Sequence, residues 1–121
     1  MGASKKNSIP AEKFSLYEKL IATNPKIELK GAANPYTSHN GHMFTFQDSS
    51  GAVGIRLPEK EKEEFLKKYQ AHLIVSYGVV KKDYVEVPGE LLKKTSELKP
   101  YLNISLDYVK SLRPKPTTKN K

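Results

Sequence analysis

Between Pro35 and Pro58 the chain is broken twice by residues suited to a reversal of direction. Asn40-Gly41 fits the two central positions of a type I′ turn, both of which need positive φ. Asp48-Ser49-Ser50-Gly51 supplies a second turn, with glycine at the left-handed position. Around these turns apolar and polar residues alternate with the two-residue period of a strand. HMFTFQ places Phe44 and Phe46 on one side and Met43, Thr45 and Gln47 on the other. AVGIRL sets Val53, Ile55 and Leu57 opposite Gly54 and Arg56. Residues 35–57 are therefore expected to form a three-stranded antiparallel meander, onto which the rest of the fold is built.

Helical periods flank this block. Pro10, Glu12 in the first turn, and Phe14, Tyr17, Leu20 and Ile21 predict a first helix, ended by Asn24-Pro25. KIELK (26–30) is a short strand candidate with Ile27 and Leu29 on one face. Pro58 opens a second helix with acids early and Lys67 and Lys68 late, as the helix dipole favours; its apolar stripe is Phe65, Leu66 and Tyr69. HLIVSY and YVEVP, on either side of Gly78, predict two further strands, the second stopped by Pro88. GELLKK predicts a short helix. Pro100 is expected to start the last one, with Leu102, Leu106 and Val109 on its stripe and Tyr101, Tyr108 and Leu112 beside it. The fold class expected is α+β: an antiparallel sheet of about five strands with helices mainly on one face, in the order α-β-β-β-β-α-β-β-α.

At 121 residues the chain suffices for one domain, expected over 9–112. The basic segment 1–8 and the Pro/Lys-rich tail 113–121 are expected to be disordered. There is no cysteine, hence no disulfide, no thiolate nucleophile and no cysteine-ligated zinc. No apolar run approaches the ~20 residues of a membrane span, and the N-terminus has no apolar segment behind its charges. It begins Met-Gly, but Lys6 stands where the myristoylation pattern wants Ser or Thr. A soluble cytoplasmic protein is the expectation, with no membrane partner and a monomeric or weakly dimeric state. The net charge of +8 is concentrated in the ends: without Lys5, Lys6, Arg113, Lys115, Lys119 and Lys121, 15 basic residues face 13 acidic ones. These six are the candidate polyanion contacts, able to bind nucleic acid weakly and without sequence choice.

Chemistry concentrates, if anywhere, in PYTSHNGHMFTF (35–46). His39 and His42 flank the turn and face each other across it. Two imidazoles could begin a metal site or serve acid/base chemistry, but a structural zinc wants four ligands and a catalytic one usually three. A hairpin tip accounts for the pair without either. No serine lies in a nucleophile-elbow pattern, and Ser49 and Ser50 are turn residues. Asp83 and Glu86 bracket Tyr84, which shares a face with Glu86 on an edge or exposed strand, and no paired carboxylates face a cleft. KGAANP has one glycine and is no phosphate loop. No helix-turn-helix or ribonucleoprotein-type aromatic motif is present. No catalytic, cofactor-binding or metal-ligating residue is assigned. The candidate interaction surface is Tyr36, His39, Asn40, His42 and Tyr84.

Two stretches carry a resemblance. Gly41-His42-Met43-Phe44, before the second hairpin strand, and Tyr84-Val85-Glu86-Val87-Pro88, ending the last strand, resemble the N-terminal domain of the TfoX/Sxy family over about residues 14–112. The resemblance implies a curved antiparallel sheet, a bacterial protein, and a stand-alone member without the family's C-terminal helical domain. It brings no catalytic residues and no cofactor. The family's named members regulate competence genes alongside a transcription activator. The function expected is thus a small non-enzymatic protein-interaction module, an accessory to transcription by this resemblance. The alternatives are a weak non-specific nucleic-acid binder acting through its termini and, less favoured, a metal-dependent enzyme using the histidines.

Overall fold

The structure, a computed structural model, describes residues 9–31, 34–76 and 78–113. Four helices, α1 (Ala11–Ala22), α2 (Glu59–Lys68), α3 (Gly89–Leu92) and α4 (Thr95–Lys110), accompany five strands. The strands are β1 (Tyr36–His39), β2 (His42–Gln47), β3 (Val53–Arg56), β4 (Leu73–Ser76) and β5 (Val79–Glu86). They form one open antiparallel sheet in the order β1-β2-β3-β5-β4. The expected α+β class and strand content are those of the chain. Since β3 and β4 are each antiparallel to β5, they run parallel to one another, with α2 as their connection and β5 inserted between them.

The helices collect on one face because β3, the residue after it and β5 send apolar side chains there. Val53, Ile55, Leu57 and Val85 are buried against Tyr17, Leu20 and Ile21 of α1 and Leu98, Leu102 and Val109 of α4. Each fully buried aliphatic or aromatic side chain contributes about 1.5–3 kcal/mol relative to exposure. Phe65 of α2 closes the layer, with Tyr69 and Tyr101 at ring-centroid distances of 4.8 and 5.0 Å. A chain of hydroxyls crosses this apolar layer: Tyr17 Oη lies 2.7 Å from Thr45 Oγ1, which lies 2.7 Å from Thr37 Oγ1. All three residues are fully buried.

Three local expectations are corrected. KIELK forms no strand; it meets the sheet at one bridge, where Lys30 and Tyr36 exchange hydrogen bonds of 2.8 and 2.9 Å. Ile27 and Leu29 pack against the helical core instead, and a turn holds the Ile27 N–H on the Asn24 carbonyl. Pro100 lies inside α4 rather than at its start. The helix begins five residues earlier, where the Glu97 and Leu98 N–H groups both reach the Lys94 carbonyl, and burial of Leu98 outweighs the backbone bond that proline removes. Of the two placements expected for Tyr84, an edge or an exposed strand, the edge is excluded, since β5 has β3 on one side and β4 on the other.

Candidate functional site

The face of the sheet away from the helices is built by a break in alternation. β1 and β2 pair as His39 with His42 and Ser38 with Met43, and then Thr37 with Thr45, leaving Phe44 as an extra residue. Such a bulge turns two successive side chains the same way. Phe44 and Thr45 are both buried toward the helices, while Met43 and Phe46 come together on the other face. The expected grouping of Phe44 with Phe46 is thereby overturned: one inserted residue reverses the register of faces on either side of it.

Phe46 is the floor of this second face. It lies over Gly54, where a Cβ would come within 2.8 Å of its ring and 3.3 Å of the Ile74 side chain. The Tyr84 ring meets Phe46 edge-on at 5.3 Å and 75°. Tyr84 donates its hydroxyl to the Met43 carbonyl at 2.7 Å, joining β5 to β2 across β3. Burial raises the Tyr84 phenol above its ordinary pKa, partly offset by the Arg56 guanidinium and reinforced by Asp83. A neutral donor is therefore maintained at this bond. Tyr36, opposite Phe46 in the ladder, completes the aromatic wall.

The result is an apolar groove of about 280 Å³ running from Asn34, Pro35 and Tyr36 over Met43 and Phe46 to Ser76 and Lys81. Its polar groups are few. Asp48, at the rim, spends Oδ1 on the Ser50 N–H, the Ser50 hydroxyl and the Ala52 N–H. Ser76 is 3% exposed, and its hydroxyl has no hydrogen-bond partner among the described residues. Lys81 is half-buried and has no ion-pair partner among them.

Beside the groove, β4 forms an edge of the sheet with the uncharged sequence Leu-Ile-Val-Ser. Val75, Val79 and Val80 are 50%, 55% and 51% exposed at its hairpin with β5. A larger depression, about 510 Å³, separates α1 from α3 and the β2–β3 turn, but charges of both signs line it (Glu12, Lys13, Glu86, Lys93). Gln47 donates to the Lys13 and Gly51 carbonyls nearby, leaving its own buried Oε1 without a partner.

The sequence-predicted residues divide between two places. Tyr36 and Tyr84 flank Phe46, Tyr36 on the groove wall and Tyr84 as its support. His39, Asn40 and His42 sit at the β1–β2 tip, where Asn40 and Gly41 have the positive φ values of a type I′ turn, 53° and 84°. His42 donates its Nε2–H to the Arg113 carbonyl at 2.7 Å. Among the described residues no three His, Asp or Glu side chains are grouped to hold a metal ion. Of the polyanion candidates, Arg113 is exposed, and Lys5, Lys6, Lys115, Lys119 and Lys121 lie outside the described residues. Met43, Phe46, Ser76 and Lys81 were missed. The one available signal was Ser76, a hydroxyl closing an otherwise apolar β-branched run. Among the described residues no helix is long and apolar enough to cross a membrane. Compared with known proteins, the chain matches no family model, no curated protein and no solved structure.

Proposed function

We propose that this chain is a non-enzymatic protein-interaction module that offers the β4 edge and its valines to an extended segment of a partner. The observation that carries this is the edge itself. Edge strands ordinarily carry charge, proline or a covering loop against pairing with other chains. β4 has no charged residue or proline and is flanked by three half-exposed valines. At the opposite edge, β1 is already engaged at one end by Lys30. Strand addition would give a partner main-chain hydrogen bonds for affinity and the valines for specificity. An accessory role in transcription in a bacterial cytoplasm follows from the TfoX/Sxy resemblance, whose two stretches meet where Tyr84 bonds the Met43 carbonyl.

The test is site-specific photo-crosslinking in the native cell, with the photoreactive residue at Val75 or, as control, at exposed Lys110. A discrete protein adduct formed from Val75, absent from Lys110 and lost with Val80→Lys, supports the module. Equal labelling from both positions counts against it.

Polyanion binding through the termini is the second reading, favoured by the six basic residues in the two ends, which supply six of the chain's net eight positive charges. It predicts that duplex DNA affinity falls roughly a hundredfold between about 50 and 200 mM salt. Replacing the six terminal basic residues with glutamine should abolish both the binding and its salt slope. Retention of binding by that variant would move the contact onto the folded domain.

A further inference from the structure

We infer that the groove on the sheet face away from the helices binds a small amphipathic monocarboxylate, with its apolar body on Phe46 and Met43 and its carboxylate on Lys81 and Ser76. The inference needs no protein partner and stands apart from the edge-strand reading.

The groove is prearranged. Gly54 lets the Phe46 ring lie close on the sheet, and the Tyr84 ring and its bond to the Met43 carbonyl hold the two floor residues in place. Pockets formed ahead of binding, apolar with a few placed polar groups, are the usual form of a small-molecule site. At about 280 Å³ this one lies just below the roughly 300–1,000 Å³ range such sites occupy, so its ligand is small.

The polar end defines the head group. Ser76 pairs with Val79 across the β4–β5 hairpin, so Lys81, two residues beyond Val79, falls on the same face as Ser76. Both line the groove. Lys62 of α2 donates to the Lys82 carbonyl at 3.1 Å, which anchors the backbone beside Lys81. The Ser76 hydroxyl and the Lys81 ammonium, neither with a hydrogen-bond or acid partner among the described residues, are both donors on the groove wall, and a carboxylate supplies acceptors for both. One positive charge matches one carboxylate; a phosphate dianion would find half its charge unmet. Asp48 on the rim further disfavours a second anionic group.

The experiment is a ¹H–¹⁵N correlation titration of the full chain with 4-phenylbutyrate, and with 4-phenylbutanamide as its uncharged counterpart. Saturable shifts are expected at Tyr36, Phe46, Ser76 and Lys81, with the amide binding about tenfold more weakly or worse. Lys81→Met should weaken the carboxylate by a similar factor and Lys81→Arg should restore it, while neither alters the rest of the spectrum. Equal binding of carboxylate and amide would overturn the inference. So would shifts that do not saturate or that spread over the exposed lysines, or a Lys81→Met variant that binds as the native chain does. The two-ligand comparison requires no substitution, so it decides the matter even where a variant folds poorly.

Discussion

Thr45 shows how much a single residue can hold in this domain. Its hydroxyl lies between those of Tyr17 and Thr37, fully buried between the sheet and the helices. Thr45→Val keeps the shape but strands two buried hydroxyls, and should cost about 2 kcal/mol by denaturant unfolding. The triple change Tyr17→Phe, Thr37→Val, Thr45→Val removes every member of the chain and should cost less than the single change. A triple variant less stable than Thr45→Val would show that the hydroxyls contribute as a network. The same tyrosine sets an alkaline limit. Burial raises its phenol well above the ordinary value, with the Thr45 hydrogen bond opposing the shift. Because the folded-state pKa is the higher one, the stability it confers is intact below about pH 10 and is lost as pH climbs from there toward the folded value. Tm should fall over that range in the native protein and less steeply in Tyr17→Phe.

Among the elements, the β1–β2 hairpin divides what could be foreseen from what could not. Its turn was legible, because Asn40-Gly41 states a local backbone requirement in two residues. The bulge one residue pair further on was not. It depends on counting β2 against β1, and alternation along HMFTFQ alone gives no sign that Phe44 is surplus. The groove was hidden for the same reason, since Met43 joins Phe46 only after that extra residue. Lys81 and Ser76 belong to a strand pair whose register also shifts, between Leu73 and Val75. Pro100 misled in another way: proline favours the start of a helix, yet here packing of Leu98 extends α4 past it. A prediction at this scale concerns Gly54. Gly54→Ala would press on Phe46, whose partly exposed ring can tilt outward, so the stability cost should stay near the low end of the roughly 1–3 kcal/mol typical of overpacking. The floor of the groove should nevertheless be lost, seen as abolished 4-phenylbutyrate shifts in a variant that unfolds cooperatively.

Among the described residues the helices lie on one side of the sheet, and the two sheet edges are unequal. If β4 pairs with extended chains, it can pair with its own copy. Sedimentation of the full chain should then show a concentration-dependent dimer that Val75→Lys removes without changing the thermal midpoint by more than about 0.5 kcal/mol equivalent, as for an exposed site. A dimer that persists in Val75→Lys would place self-association elsewhere. Fold class was the most legible property at this scale because two turns and two β-branched runs leave little choice but an antiparallel sheet. Which strand lies in the middle was not written in any local pattern. The strand order β1-β2-β3-β5-β4 carries a consequence for synthesis. The meander is finished by residue 56 and β4 by residue 76, yet neither has its neighbour until β5 arrives between them. A nascent chain whose emergence has reached residue 76 therefore holds two unmatched sheet fragments, and the ten residues that follow convert them into one domain at a single stroke.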